Sequence, residues 1–396
     1  MHGPTQQGGT TGRLPAQIWA LGLVSLFMDI ASETVHALLP VFLVTSLGAS
    51  VAMVGLIEGV GESTAAFAKV GSGWLSDRLR RRKGLVVLGY TLGALSKPAF
   101  AVAPAAGWVM GARFVDRLGK GIRGAPRDAL IGDLAPAPLR GAAFGLRQSL
   151  DTAGAFLGPL AAIALMALTG GQFRLVFWLA VIPGLVAVAI LVLAVREPPR
   201  PAGVNAPSIR WHELPALGCR YWGVVAVAGV LTLARFSVAF LILRAEGAGL
   251  SLALTPAVLV VMNLAYSASA WPMGALSDRM PRRHLLAAGF AVLMLAQLVL
   301  AFAPGLPAVM GAIALWGLHM GMTQGLLAAL VTDTAPARAR GSAFGLFHLV
   351  SGLALLAANF VAGGLWSLLG PASTFLAGAA FAGVGLAGLA LYAWRR

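Results

Sequence analysis

The segment Gly73-Trp74-Leu75-Ser76-Asp77-Arg78, followed by Arg80, Arg81, Arg82 and Lys83, returns further along the chain. It reappears as Gly274-Ala275-Leu276-Ser277-Asp278-Arg279, followed by Arg282 and Arg283. A second stretch repeats at the same distance to within one residue. Asp133 through Arg140-Gly141-Ala142-Ala143-Phe144-Gly145-Leu146 matches Asp333 through Arg340-Gly341-Ser342-Ala343-Phe344-Gly345-Leu346. Two matches in one register mark a duplicated unit.

Composition puts both copies in lipid. Hydrophobic residues make up 58% of the chain and charged residues 11%, against about 25% charged in soluble domains. Apolar runs long enough to cross the roughly 30 Å hydrocarbon layer follow one another from end to end. Without water, backbone groups must bond within their own segment, so such runs predict helices. A β-barrel needs shorter alternating segments, and none is present. The single Cys219 excludes an intrachain disulfide framework. The polar, Gly-rich residues 1–15 read as a disordered cytoplasmic tail without a cleavable signal.

A net charge of +15 raises nucleic acid as a partner, but its distribution argues against one. Lys and Arg concentrate in alternate connections. Those near 46–51, 103–107, 303–307 and 369–373 carry none, and the one near 169–174 has only Arg174. This positive-inside pattern predicts a multi-pass plasma (inner) membrane protein with both termini cytoplasmic. Predicted spans are 16–45, 51–75, 84–104, 107–132, 141–168, 174–195, 221–245, 252–275, 284–303, 306–332, 341–368 and 373–394. The expected architecture is all-α: twelve transmembrane helices in two pseudo-symmetric six-helix bundles, 16–195 and 221–396. A Pro-rich cytoplasmic linker, 196–220, joins them.

The Gly-x-Leu-Ser-Asp-Arg block resembles the loop signature of the major facilitator superfamily, G-x-L-[AS]-D-R-x-G-R-[RK], with Arg80 where the family has Gly. Arg117-Leu118-Gly119-Lys120-Gly121 is similar to its R-x-x-Q-G element, with Lys for Gln. Gly145, Gly154, Gly158 and Pro159 match the spacing of the helix-five signature of the drug:proton antiporter branch; Ala162 and Ile163 replace its last two glycines. The resemblance spans nearly the whole chain. It implies a monomeric carrier without cofactors, two rocking halves, and a site near the midplane. Gly73, Asp77, Arg78, Asp278 and Arg279 are then a conformational latch. Arg147, Asp151, Gly154, Gly158 and Pro159 form the antiporter-like fifth helix, read either as a seal between halves or as a small-residue packing seam.

The fourth span is the least ordinary. Arg113, Asp116, Arg117, Lys120 and Arg123 occupy an arc of roughly 120° at helical periodicity. Facing lipid, each costs on the order of 3 kcal/mol even on the lenient insertion scale. They must therefore face a wet cavity or one another. The first span carries Asp29, Glu33 and His36, and the second Glu58, Glu62 and Lys69, each set on one face. An acid beside a basic group stays ionised, and it prefers to be neutral when substrate takes the basic group away. Asp29, Glu33, Glu58 and Glu62, with Arg117, are thus the candidates for proton coupling. A static ion-pair network is the alternative. A divalent-metal site built from these carboxylates and His36 is a rival that the adjacent cations oppose. The second half is drier: Gly317, Met320 and Leu327 stand where the first has Arg117, Lys120 and Arg127. Arg235 is its main buried charge.

Candidate substrate contacts are Arg113, Arg117, Lys120, Arg123, Arg235, Asn263, Tyr266 and Gln324, within an apolar wall that includes Phe236 and Trp316. No nucleotide-binding loop is present, so an ion gradient is the expected energy source. The expected function is proton-coupled efflux of a small amphipathic or anionic organic compound. Alternatives within transport are uptake of an anionic metabolite or metal chelate, and divalent metal export. From a different class comes a non-transporting membrane receptor. No nucleophile–base or metal constellation points to an enzyme. The expected partners are the small molecule, protons and the bilayer.

Overall fold

The computed structural model describes residues 14–79, 82–136, 140–197, 218–277, 280–334 and 340–394, and every span predicted above is helical in it. The helices are α1 (Ala16–His36, continued by Leu39–Val41 and a π-turn Phe42–Ser46), α2 (Val51–Leu79), α3 (Lys83–Ala101), α4 (Ala106–Leu134), α5 (Arg140–Leu168) and α6 (Phe173–Leu179 with Val181–Ala194). The second set is α7 (Cys219–Ala234 with Ala239–Gly247), α8 (Ala257–Ser277, after the short turn Leu252–Leu254), α9 (Arg282–Phe302), α10 (Leu306–Thr334), α11 (Arg340–Leu369) and α12 (Pro371–Trp394). Among the described residues, 11 helical segments are long and apolar enough to cross a membrane. The helix outside that set is α4, whose charged face breaks the apolar run.

Backbone geometry repeats the duplication. Gly48 (φ 63°) and Gly249 (φ 100°) end α1 and α7, while Gly170 (φ 62°) and Gly370 (φ 86°) end α5 and α11. These left-handed positions favour glycine, and each pair is separated by the offset of the sequence repeat. The outer ends of α3 and α9 are capped alike: Arg174 donates to the Ala101 and Ala103 carbonyls (2.8 and 2.7 Å), and Arg244 to those of Leu300 and Ala303 (2.9 and 3.1 Å). Orphan carbonyls at helix C-termini are thus met by cations.

The halves meet along two seams. On one, α2 lies against α11 through small residues. A Cβ on Gly363 would stand 2.9 Å from the Ala52 Cα, one on Gly352 2.9 Å from the Ala66 Cβ, and Gly55 abuts the Asn359 carbonyl. The Ala52 N–H donates to Ser367 Oγ at 3.0 Å. On the other seam α5 faces α8. Pro159 has no N–H to give the Ala155 carbonyl four residues back. That carbonyl instead accepts Asn263 Nδ2 from α8, at 3.3 Å. At the outer ends, the continuation of α1 packs on the second piece of α7 within one apolar cluster that includes Val41, Phe42, Phe240 and Leu241. The space between the halves widens toward the opposite face, where the basic loops lie.

Candidate functional site

Two connected lobes lie between the halves. The deeper, about 420 Å³, is walled by Glu33, His36, Glu58, Glu62, Arg113 and Arg117 from one half and by Phe236, Ser237, Trp316 and Met320 from the other. The wider, about 600 Å³, extends toward the basic-loop face past Asp29, Lys69, Asp128, Arg147, Asp151 and His348. Lys120, Arg235, Gln324 and Glu62 border both lobes.

The charged face of α4 does not touch lipid. Arg113, Asp116, Arg117 and Arg123 are buried, as is Lys97 of α3. Arg113 donates to Glu58 at 2.8 Å and lies 3.8 Å from Glu62, which also pairs with Arg117 at 3.3 Å. Asp116 receives Lys97 Nζ at 2.6 Å and the Ser96 hydroxyl at 3.2 Å on one oxygen, and faces His36 Nε2 at 3.2 Å with the other. Arg117 Nη2 lies 3.1 Å from His36 Nδ1. Buried charge survives in this setting only when paired and hydrogen-bonded.

Toward the open face the network continues. Arg127 meets Asp128 at 3.1 Å, Ser25 at 3.3 Å and Tyr90 at 3.4 Å, and Arg147 pairs with Asp151 one turn on at 2.9 Å. Arg123, predicted as a substrate contact, stacks on the Tyr90 ring at 4.5 Å, so part of its charge is engaged in packing α4 on α3. Lys69, Lys120 and Arg235 form no ion pair among the described residues, and all three border the cavity.

Arg235 sits where α7 is interrupted between Ala234 and Ala239. The break frees the Ala234 carbonyl, which accepts Gln297 Nε2 of α9 at 2.6 Å. The Ser237 N–H donates to Asn359 Oδ1 of α11 at 2.7 Å, and Ser237 Oγ donates to Glu58 of α2 at 3.0 Å. Glu58 is therefore shared by Arg113 of its own half and Ser237 of the other. Unwound backbone of this kind is tolerated at membrane depth only where it is buried in protein or lines a cavity.

Most residues expected at the site converge there: Asp29, Glu33, Glu58, Glu62, Arg113, Arg117, Lys120, Arg123, Arg235 and Gln324 all line the lobes. Asn263 and Tyr266 stand to one side, in a recess of about 380 Å³ between α5 and α8. Tyr266 reaches the main wall by donating to Gln324 at 3.1 Å. Gly154 and Gly158 face α1 of their own half, where a Cβ would stand 2.8 Å from that of Asp29 and 2.6 Å from that of Glu33. Of the fifth-helix residues, Pro159 is the one tied to the seam between halves, through Ala155 and Asn263. The surroundings of Gly73, the side chains of Asp77 and Arg78, and residues Asp278 and Arg279 entirely, lie outside the described residues. Next to them, the Arg82 and Lys83 N–H groups at the start of α3 are capped by Glu197 at 2.8 and 2.6 Å, and Arg82 pairs with Asp133 at 2.7 Å. Among the described residues no group of three or more His, Cys, Asp or Glu converges to hold a metal.

Sequence reasoning missed Lys97, Ser237 and Asn359. Lys97 carried a signal, as the one charge inside an otherwise apolar span; its partner on α4 could not be read from spacing. Ser237 and Asn359 offered none, because each matters only through contact with the other half.

The comparisons agree with this geometry. The family model of the Major Facilitator Superfamily matches residues 21–354, and again 224–396. The uncharacterized MFS-type transporter MJ1317 of Methanocaldococcus jannaschii is 31% identical over 377 residues, covering 93% of each chain. The uncharacterized protein Rv2265 of Mycobacterium tuberculosis is 29% identical over 360 residues, 89% of this chain and 87% of its own. Among solved structures, a bacterial homolog of the human lysosomal transporter Spinster, inward-facing and unoccupied, superposes with a TM-score of 0.74 at 18% identity, covering 96% of this chain and 97% of that one. A mutant of the nucleoside transporter NupG gives 0.76 at 11% identity, covering 95% and 99%. The chain belongs to the major facilitator superfamily, and it is a multi-pass membrane transporter, not an enzyme.

Proposed function

We propose that this transporter moves a small anionic or amphipathic organic compound, coupled to protons, by alternating access across a plasma membrane with both termini cytoplasmic. The observation that carries the anionic assignment is the unpaired charge at the lobes. Lys120 on one half and Arg235 on the other make no ion pair among the described residues, while the acids beside them are held by their own cations. An anion between these two groups would touch both halves at once, against the apolar surface of Phe236, Trp316 and Met320. Proton coupling is assigned to Asp29, Glu33, Glu58 and Glu62, with Arg117 as the switchable cation. Export, in the manner of a drug:proton antiporter, rests on the fifth-helix spacing.

The pairing of Arg113 with Glu58 at 2.8 Å and of Arg117 with Glu62 at 3.3 Å favours the opposite direction. An anion that draws Arg113 or Arg117 away leaves Glu58 or Glu62 without its counter-charge, and that acid then takes a proton. Proton and anion would bind together, and an inward proton gradient would drive uptake. Thermal-stability screening of the purified protein against organic anions, neutral isosteres and amines at two pH values tests the substrate class, because a ligand stabilises the state it binds. Protection by anions alone supports the reading; equal protection by amines ends it. Counterflow in right-side-out and inverted vesicles then separates export from uptake.

A further inference from the structure

The imidazole of His36 has one nitrogen open to a further proton, and a guanidinium lies against the ring beside it. On one side, Nε2 lies 3.2 Å from Asp116 Oδ2. Asp116 receives Lys97 and Ser96 on its other oxygen, so it is a carboxylate and can only accept; Nε2 therefore carries the hydrogen. On the other side, Arg117 Nη2 stands 3.1 Å from Nδ1 and 3.5 Å from Nε2. These nearly equal distances put the guanidinium against the face of the ring rather than on the Nδ1 lone-pair axis, so its positive charge stands beside Nδ1 while the lone pair stays open. Glu33 Oε1 waits 3.8 Å from the same nitrogen. Both His36 and Glu33 line the deeper lobe, which gives water access to them.

We propose that Nδ1 of His36 is an exchangeable proton site of this carrier, and that a proton there and the Arg117 guanidinium against the ring repel each other. The proposal rests on the proton-coupled reading above. When a proton arrives from cavity water it forms an N–H at Nδ1 aimed at Glu33, and Arg117 turns to Glu62, already at 3.3 Å, or to an anion in the lobe. When the proton leaves, Arg117 returns to the face of the neutral ring. Every charged group around the ring takes part. Glu33 comes from its own helix; Arg113, Asp116, Arg117 and Lys120 from α4; Glu58 and Glu62 from α2; Lys97 from α3 behind Asp116; and Arg235 faces the same lobe from α7. On α5 and α6, Gly158 lies beside Glu33 and Gly184 beside Ala31. An anion that takes Arg117 therefore frees Nδ1 to take a proton, which links the two ligands positively.

The test uses the full chain in lipid nanodiscs. The chain has 6 histidines, and the variant His36→Gln identifies the His36 signals in nitrogen-15 spectra. His36→Gln keeps an amide oxygen for Arg117 and an N–H for Asp116, so folding is retained. The expected result is a neutral ring protonated at Nε2 in wild type. In Arg117→Met, where the neighbouring donor and its charge are both gone, the second proton should bind at about tenfold lower proton concentration. A ring protonated at Nδ1 in neutral wild type, or an unchanged midpoint in Arg117→Met, overturns the proposal.

A second readout separates this idea from the broader one. Ser351→Cys on the wide lobe, in a Cys219→Ser background, reports by thiol labelling which side the cavity opens to as pH changes. If labelling shifts with pH in the parent and not with His36→Gln added, His36 is the proton site. A shift that survives His36→Gln assigns the proton to the carboxylates and overturns the proposal alone. No shift in the parent overturns both.

Discussion

At the scale of single residues, the cavity contains two kinds of cation, and they should respond oppositely to removal. Arg113 is buried against Glu58 at 2.8 Å. Arg113→Met leaves a carboxylate buried with one hydroxyl donor, and breaking a buried pair in this way costs about 3–5 kcal/mol. Arg235 has no such partner among the described residues, and its partial burial on the cavity wall is a standing cost. Arg235→Met should therefore raise the unfolding temperature, by the equivalent of about 1 kcal/mol or more, while abolishing anion-dependent stabilisation. Scanning fluorimetry of the two purified variants, with and without anions, checks both signs. A destabilised Arg235→Met would show that the guanidinium holds the fold rather than awaiting a ligand. Lys97→Met belongs with Arg113. It strands Asp116 in the deepest part of the bundle, where Lys97 is 0% exposed, and a loss of about 3–5 kcal/mol is expected.

At the scale of helices, glycines that look alike in the sequence serve different interfaces. Gly154 packs α5 on α1 within one half, where a Cβ would meet the Leu26 carbonyl at 2.7 Å; Gly363 packs α11 on α2 across the halves, where it would meet the Ala52 Cα at 2.9 Å. Overpacking either site costs about 1–3 kcal/mol, but the consequences differ. Gly154→Val should lower the unfolding temperature without changing which side of the cavity is open. Gly363→Val should push α2 from α11 at their outer ends and favour the conformer open on that side. Labelling of cavity cysteines from each face distinguishes them, and an identical response to the two substitutions would refute the assignment. Much of the helix layout was legible from apolar periodicity and the repeat: predicted 107–132 is observed as Ala106–Leu134, and predicted 284–303 as Arg282–Phe302. The interruption of α7 was not, because Arg235-Phe236-Ser237 contains neither Gly nor Pro. What permits the break is distant in sequence, since Gln297 and Asn359 meet the freed backbone groups. The charged face of α4 was legible as a cost that lipid could not bear. Its partners on other helices were visible only as a set of acids, without the pairing Asp116–Lys97–His36.

At the scale of the whole molecule, the described conformer is closed on one side by α2–α11 contacts and open on the other, where Asp29, Lys69 and Arg147 reach the wide lobe. Alternating access requires the outer contacts to part while the inner ends approach. The seam is therefore a gate whose covalent closure should arrest the cycle in the present state. Ala52 and Ser367 touch across it through a backbone hydrogen bond of 3.0 Å. Cysteines at both positions, in a Cys219→Ser background, are expected to cross-link. Oxidised protein in vesicles should lose exchange and recover it on reduction. Throughout, a third cysteine at Thr232, on the wide lobe, should stay reactive to polar thiol reagents applied from the basic-loop side. A cross-linked protein that still exchanges its ligand would mean that the α2–α11 seam does not open. The moving contacts would then lie at the α5–α8 seam, where Pro159 leaves the Ala155 carbonyl to Asn263 and a side-chain hydrogen bond of 3.3 Å joins the halves.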